Sequence, residues 1–80
     1  MTIVIYSRAG CHLCEDAERL IESRQSTTPF ELRIIDIDAD PALAARYSES
    51  VPVVLIDGVI RFRGSVSPVL FDRFLGGSRP

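Results

Sequence analysis

The order of apolar segments along the chain constrains the fold more than any other feature of the sequence. A β-rich run, Thr2–Tyr6, is followed by a loop and then by a helical stripe within His12–Arg24. The stripe consists of Leu13, Ala17, Leu20 and Ile21. After a break at Pro29, Glu31–Ile37 is predicted to be a second strand. This order predicts a parallel strand pair with a right-handed helical crossover, and a first strand buried on both faces.

The second half of the chain predicts a short helix, a hairpin and a terminal helix. An aspartate at 38 or 40 followed by Pro41 is typical of a helix start, and Asp57-Gly58 is a strong signal for a two-residue hairpin turn. The predicted elements are the helix Pro41–Tyr47, the strands Val51–Ile56 and Val59–Arg63, and a helix from Ser67-Pro68 to Gly76-Gly77 with Val69, Leu70, Phe71, Phe74 and Leu75 as its apolar residues. The result is an α/β fold of order β-α-β-α-β-β-α, a four-stranded mixed sheet with helices on both faces.

Composition limits the chain to one small domain. Its 80 residues predict a single domain over residues 1–77 and a tail over 78–80. The net charge of −2 argues against nucleic acid or an anionic membrane surface as a general partner. No apolar run approaches the roughly 18 residues of a membrane span, and residues 1–6 lack the basic start of a signal peptide. The expected location is therefore the cytoplasm.

Cys11 and Cys14 are the residues that point to chemistry. Thiol–disulfide exchange needs a thiolate, which a helix N-terminus favours through its dipole and its free N–H groups. A spacing of three residues places the second sulfur one turn further along the same helix face, within disulfide range. Because Cys11 lies at the mouth of the predicted helix and Cys14 inside its first turn, Cys11 is the predicted nucleophile and Cys14 the resolving thiol. Arg8 and a protonated His12 would favour the thiolate.

Two other uses of the cysteines compete with redox chemistry. A mononuclear metal site needs four ligands, and the cysteines with His12, which faces a different direction, offer three. No bound metal is therefore predicted, apart from a cluster shared between two chains. Inert or structural thiols are the other alternative. The strand–loop–helix context of the pair favours reversible dithiol–disulfide chemistry.

Four short motifs carry a family resemblance. They are Tyr6-Ser7-Arg8 ahead of Cys11-His12-Leu13-Cys14-Glu15, the aspartates 36, 38 and 40 with Pro41, Ser50-Val51-Pro52, and Asp57-Gly58. With them the sequence resembles a glutaredoxin of the thioredoxin superfamily, and more closely the small bacterial glutaredoxin-like proteins, over about residues 2–75. The resemblance implies a thioredoxin-like fold of the glutaredoxin type and a thiol–disulfide oxidoreductase that needs no bound cofactor.

The resemblance also implies roles for individual residues. Pro52 is expected to be cis and to lie beside the cysteines, with the backbone of Val51 offered to the substrate as a short β-pairing. Arg8 stands where glutaredoxins have a basic residue that meets the glycine carboxylate of glutathione, although an exposed loop arginine is an equal alternative. His12 is expected either to tune the thiolate or simply to be exposed. Asp36 and Asp38 would relay protons to Cys14 or, more conventionally, cap helices and hydrogen-bond loops.

The expected substrates are disulfides of proteins or of small thiols, and the expected protein is a monomer. Glutathione or a thioredoxin-reductase-type flavoenzyme would supply the electrons. Where glutaredoxins carry Gly-Gly and then an acid, this chain reads Gly64-Ser65-Val66-Ser67-Pro68. The alternative functions are a redoxin-fold carrier that binds an iron–sulfur cluster across a dimer, and a redox-inactive adaptor.

Overall fold

The computed structural model describes residues 1–77 and contains the predicted order of elements. The strands are β1 (Thr2–Ser7), β2 (Glu31–Asp36), β3 (Val53–Ile56) and β4 (Val59–Arg63), and the helices are α1 (His12–Arg24), α2 (Pro41–Tyr47) and α3 (Pro68–Asp72). A 3-10 turn at Ile37–Ala39 links β2 to α2, and a π-helical turn at Arg73–Gly77 follows α3. The tail predicted over 78–80 lies outside the described residues.

The four strands form one mixed sheet of order β2-β1-β3-β4. β1 runs parallel to β2 and antiparallel to β3, which in turn pairs antiparallel with β4. The predicted fold class is therefore confirmed. β1 is one of the two inner strands, so the loop that leaves it, which leads to both cysteines, starts from a strand that is paired on each side.

The hairpin between β3 and β4 turns at Asp57 and Gly58, as the sequence predicts. Both residues have positive φ (50° and 84°), which is the requirement of a type I′ turn. The turn is also fixed to the start of β1, because the Asp57 N–H donates to the Thr2 carbonyl and the Thr2 N–H donates to Asp57 Oδ1, each at 2.9 Å. The hairpin turn is thus bonded to the start of β1, and the cysteine loop leaves β1 at the opposite end of the sheet.

Each face of the sheet has its own apolar cluster. On the face covered by α1 and α3, inward residues of the strands pack with Ile21 and Phe71, both fully buried. On the α2 face, Ile37 and Val53 pack with Tyr47. Helices therefore cover both faces, and α2, at seven residues, is the smaller cover.

One burial expectation is wrong, and two helices leave apolar residues exposed. β1 is not buried on both faces: Ile3 and Ile5 are fully buried, but Val4 is only half-buried because α2 is too short to cover that face. In α1 the apolar stripe reaches the core from Ala17 onwards, and Leu13 is 51% exposed. The predicted terminal helix is divided, because α3 ends after five residues and continues as a π turn at Arg73–Gly77. Of the apolar residues predicted for this helix, Val69, Leu70 and Phe74 are exposed, and Phe71 alone within α3 is fully buried.

β1 runs one residue beyond its predicted end, to Ser7, and the ends of two other strands differ as well. β3 begins at Val53 rather than Val51, because Pro52 lacks an N–H for the ladder. β2 ends at Asp36 rather than Ile37, because the Asp36 carboxylate accepts the Asp38 N–H and starts the 3-10 turn. The segments before β3 and after β2, which contribute to the candidate site, are therefore not part of the strands.

Phe71 should be a major source of stability, because it is fully buried, makes an edge contact with Phe30 and packs at a tilt against Phe62. We expect Phe71→Ala to lower the free energy of unfolding by about 3 to 5 kcal/mol, measured by urea denaturation. Val69→Ala, in the same helix but 65% exposed, is the matched control and should change it by less than about 0.5 kcal/mol. Equal effects of the two substitutions would contradict the described packing of α3.

Candidate active site

The cysteine pair occupies the junction between the β1 loop and α1. Gly10, with a φ of 76°, turns the chain into the helix, and Cys11 is the N-cap residue. The Cys14 N–H donates to Cys11 Sγ at 3.1 Å, and the Glu15 N–H donates to the Cys11 carbonyl at 3.0 Å. The two sulfurs are joined in a disulfide, with the Cα atoms 5.2 Å apart. A sulfur in this position receives the hydrogen bond that favours a thiolate.

The two cysteines differ in their access to solvent. Cys14 is fully buried, whereas Cys11 is partly exposed. The residues between them project outward, with the side chain of His12 97% exposed and Leu13 51% exposed. An external molecule therefore reaches the pair through the sulfur of Cys11.

The segment before β3 lies at the same end of the sheet as the cysteine loop. Val53 stands opposite Tyr6 in the antiparallel register, so the chain before Val53 and the chain after Ser7 leave neighbouring strands together. Pro52 is fully buried, and the Val51–Pro52 peptide bond is cis. The Gly64 N–H donates to the Ser50 and Pro52 carbonyls, at 3.0 and 2.9 Å.

Val51 lies between these two anchored carbonyls. Among the hydrogen bonds within residues 1–77, none uses the N–H or the carbonyl of Val51. Its side chain packs against the α2-face cluster. The backbone of Val51 is thus held in place by its neighbours while its own polar groups stay available.

The guanidinium of Arg8 binds the 3-10 turn and the end of α2. Its guanidinium forms a two-pronged pair with Asp38, with Nε to Oδ2 at 3.0 Å and Nη2 to Oδ1 at 2.8 Å. Nη1 donates to the Ser48 carbonyl at 3.2 Å. The hydrogen bond from Arg8 holds the pKa of Asp38 below its usual value, and the pKa of Arg8 rises in turn. The arginine therefore ties the cysteine loop to the 3-10 turn and to the end of α2.

His12 and the other two aspartates take simpler positions. His12 Nδ1 is 3.9 Å from Glu15 Oε1 on the open surface of α1. Asp36 caps the 3-10 turn, and Asp40 caps α2 by accepting the Ala42 N–H at 2.9 Å. These contacts match the capping role expected for Asp36, and Asp40 is the cap where the sequence left a choice between 38 and 40.

Sequence reasoning missed the pairing of Ser7 with Glu18. Ser7 is 6% exposed, and its hydroxyl donates to Glu18 Oε2 at 2.5 Å. The two residues line an open cleft of about 290 Å³ beside the loop, together with Arg8, Glu15 and Asp36. Strand alternation was a usable signal, because Ser7 follows Ile3 and Ile5 on the inward face and a buried hydroxyl needs a partner.

The described residues hold neither a cluster of metal ligands nor a helix suited to a membrane. Within residues 1–77, no three His, Cys, Asp or Glu side chains are grouped as metal ligands would be. Of the helices described over that range, none is long and apolar enough to cross a membrane.

Comparisons with known proteins agree with this geometry. A family model described as a glutaredoxin-like domain (DUF836) matches residues 2–74. The chain belongs to this glutaredoxin-like family, which confirms the resemblance read from the motifs. Family membership and the CxxC pair together indicate a redox-type function.

The relatives and solved structures support the fold over most of the chain. Uncharacterized proteins Rv0508 of Mycobacterium tuberculosis and Mb0520 of Mycobacterium bovis are each 31% identical over 61 residues, 70% of this chain. The match spans 63% of the length of these relatives. The solution NMR structure of protein Ne2328 from Nitrosomonas europaea superposes with a TM-score of 0.76 at 28% identity, covering 94% of this chain and 91% of that one. An X-ray structure from X. campestris (target protein XcR50) has a TM-score of 0.74 at 24% identity, with coverages of 96% and 99%, and supports the fold alone.

The pair of Arg8 and Asp38 should give a specific dependence of stability on pH. Because the folded pKa of Asp38 lies below its ordinary value of 3.8, the pair stabilises the fold above that pH, and this contribution is lost as the pH falls through the folded pKa. We expect the wild type to be more stable than Asp38→Asn at pH 6, with the difference narrowing below about pH 4. Urea denaturation of both proteins across this range measures it. A difference that stays constant down to pH 2 would contradict the assigned contact.

Proposed function

We propose that the protein is a thiol–disulfide oxidoreductase in which Cys11 is the nucleophile and Cys14 the resolving thiol. The observation that carries the proposal is the capped geometry of the pair. The outer sulfur accepts the Cys14 N–H at the start of α1, and the inner sulfur is fully buried one turn away. The first position suits an attacking thiolate, and the second protects the resolving thiol from external disulfides.

The reaction proceeds in two exchanges. The Cys11 thiolate attacks one sulfur of a substrate disulfide, which forms a mixed disulfide and releases the other substrate sulfur as a thiolate. Cys14 then attacks Cys11 Sγ, which forms the Cys11–Cys14 disulfide and breaks the bond to the substrate, and the leaving substrate sulfur takes up the Cys14 proton. The substrate gains two electrons and the protein loses two. An external reductant returns the protein to its dithiol form.

The other residues of the site bind and position in this proposal. The unused N–H and carbonyl of Val51 would pair with the backbone of the bound substrate, beside buried Pro52. Arg8 fixes the cysteine loop through Asp38 and Ser48. His12, at 97% side-chain exposure, would act on the incoming substrate rather than within the protein.

The electron donor is glutathione or a thioredoxin-reductase-type flavoenzyme. The contacts of Arg8 favour the flavoenzyme, because a carboxylate of glutathione that uses this guanidinium must first displace Asp38. No bound cofactor enters the proposal. The cytoplasmic location and the monomeric state stay predictions.

Substitution of the two cysteines should separate their roles. We expect Cys11→Ser to lower the rate of reduction of a protein disulfide such as insulin by about a hundredfold or more, because the attacking sulfur is lost. Cys14→Ser is the matched control: it keeps the first exchange, so it should accumulate a mixed disulfide that is visible by mass spectrometry. Retained turnover in Cys11→Ser would overturn the assignment of the nucleophile. Alkylation of Cys11 no faster than that of a free thiol would favour the redox-inactive adaptor.

The two donor systems should differ in rate. With one disulfide substrate, we expect a thioredoxin-reductase couple to support faster turnover than a glutathione and glutathione-reductase couple. Asp38→Ala frees the Arg8 guanidinium and should raise the glutathione-dependent rate by a few-fold, a gain that the double variant with Arg8→Gln should lose. Faster turnover of the wild type with glutathione would reverse the preference.

A further inference from the structure

Two exposed arginines, one from α2 and one from β4, lie against the same aromatic ring. The guanidinium carbon of Arg46 lies 5.8 Å from the centre of the Tyr47 ring, and that of Arg63 lies 5.9 Å from it. Tyr47 is 8% exposed and stacks against Tyr6 with ring centres 5.0 Å apart. The ring is therefore fixed, and it restrains both arginines, called here the arginine pair, without neutralising them.

The charges of the arginine pair are uncompensated. Within residues 1–77, neither guanidinium has a carboxylate oxygen within 4.0 Å, although Glu49 is close in sequence. By contrast, Arg8, Arg24 and Arg33 each bind a carboxylate at 3.1 Å or less. A cation that is both held in place and unpaired is suited to bind an anion from another molecule.

The arginine pair lies at the end of the sheet where the cysteines are. Arg63 stands opposite Val53 in the β3–β4 register, and Val53 stands opposite Tyr6, so one row across the sheet joins Arg63 to the strand that leads into the cysteine loop. The next residue, Gly64, donates to the carbonyls on each side of Val51. A chain paired with the Val51 backbone would therefore pass close to Arg63.

Negative charge collects on the opposite side of the cysteine loop. The cleft beside Arg8 is lined by Glu15, Glu18 and Asp36, the last of which comes from β2. β2 and β4 are the two outer strands of the sheet, and the cysteine loop leaves the strand next to β2. The surface around the cysteines is thus acidic towards β2 and basic towards β4.

We propose that the arginine pair selects a disulfide-bonded protein whose reactive cysteine is flanked by acidic residues. The inference rests on the oxidoreductase function proposed above and names its substrate class. Glutamate or aspartate side chains next to that cysteine would meet Arg46 and Arg63, while the acidic cleft would repel the same segment from the β2 side. The substrate is thereby bound in one direction. A short acidic segment fits this surface better than a nucleic acid, whose continuous charge would run into the cleft.

The test uses symmetrical disulfides of a short peptide with one cysteine, flanked by glutamates, glutamines or lysines. The dithiol protein reduces each disulfide to two peptide thiols and becomes the Cys11–Cys14 disulfide, so electrons balance in a single turnover. Each rate is divided by the rate of the same peptide with dithiothreitol, which removes differences in intrinsic reactivity. At low ionic strength we expect the glutamate peptide to react about five- to tenfold faster than the glutamine peptide. The preference should fall towards unity at about 1 M salt, where the Debye length is about 3 Å.

Two double variants locate the preference. In Arg46→Gln with Arg63→Gln the advantage of the glutamate peptide should vanish, while the glutamine peptide reacts at the wild-type rate. The matched control, Arg33→Gln with Arg73→Gln, removes the same amount of charge away from the cysteines. Arg33 lies on the outer strand β2. Arg73 follows Asp72, which pairs with Arg24 at the C-terminal end of α1. This control should keep the advantage. Equal rates for all peptides, or an equal loss in both double variants, would overturn the inference while leaving the oxidoreductase function intact.

Binding without reaction provides a second readout. The glutamate peptide with serine in place of its cysteine should shift NMR signals of Arg46 and Arg63 in the wild type. Such shifts in a protein that reduces none of the disulfides would retain the docking surface and reject the proposed function. Absence of shifts at these residues, or tighter binding of a single-stranded oligonucleotide at the same place, would overturn the inference.

Discussion

The hydrogen bond from the Cys14 amide to the Cys11 sulfur joins the folding of α1 to the chemistry of the site. A helix start needs an acceptor for its free N–H groups, and the usual one is an oxygen of Ser, Thr, Asp or Asn. In α1 the acceptor is a sulfur, which becomes a stronger acceptor as a thiolate. In the mechanism that we propose, the helix is therefore best capped in the ionisation state that attacks a disulfide. Burial of Ala17 and Ile21 holds the rest of α1 against the sheet, so the stability of the helix does not depend on its N-cap alone.

The central position of β1 explains why the parts of the site meet. Its parallel partner β2 leads into the turn that carries Asp38, and its antiparallel partner β3 is preceded by Val51 and Pro52. All three chain segments reach one end of the sheet, and Arg8 joins them through Asp38 and Ser48. The opposite end is closed by Asp57 against Thr2. The strand order thus places the candidate site at one end of the sheet and the Asp57–Thr2 contact at the other.

Local signals predicted most of the fold, and distant contacts account for what they missed. The Asp40-Pro41 start of α2, the Asp57-Gly58 turn and the cysteine spacing each depend on residues within a few positions, so the sequence alone was sufficient. Exposure of Leu13 and Leu70 depends instead on where another element stops covering them. The partner of Arg8 lies 30 residues away in sequence and that of Ser7 lies 11 away, and no periodic pattern identifies either.

The arginines divide into two groups that leave the molecule with a polarised surface. Those of the first half bind carboxylates, in the pairs Arg8–Asp38, Arg19–Asp16, Arg24–Asp72 and Arg33–Glu31. Three of the second half lie on rings instead: Arg46 and Arg63 on Tyr47, and Arg61 on Phe74. A carboxylate cancels the field of a guanidinium, whereas an aromatic ring orients it and leaves its charge. The β4 edge is therefore positive although the chain as a whole carries −2. Net charge argues against a general polyanion partner, whereas the substrate class that we propose depends on which individual arginines are paired with a carboxylate.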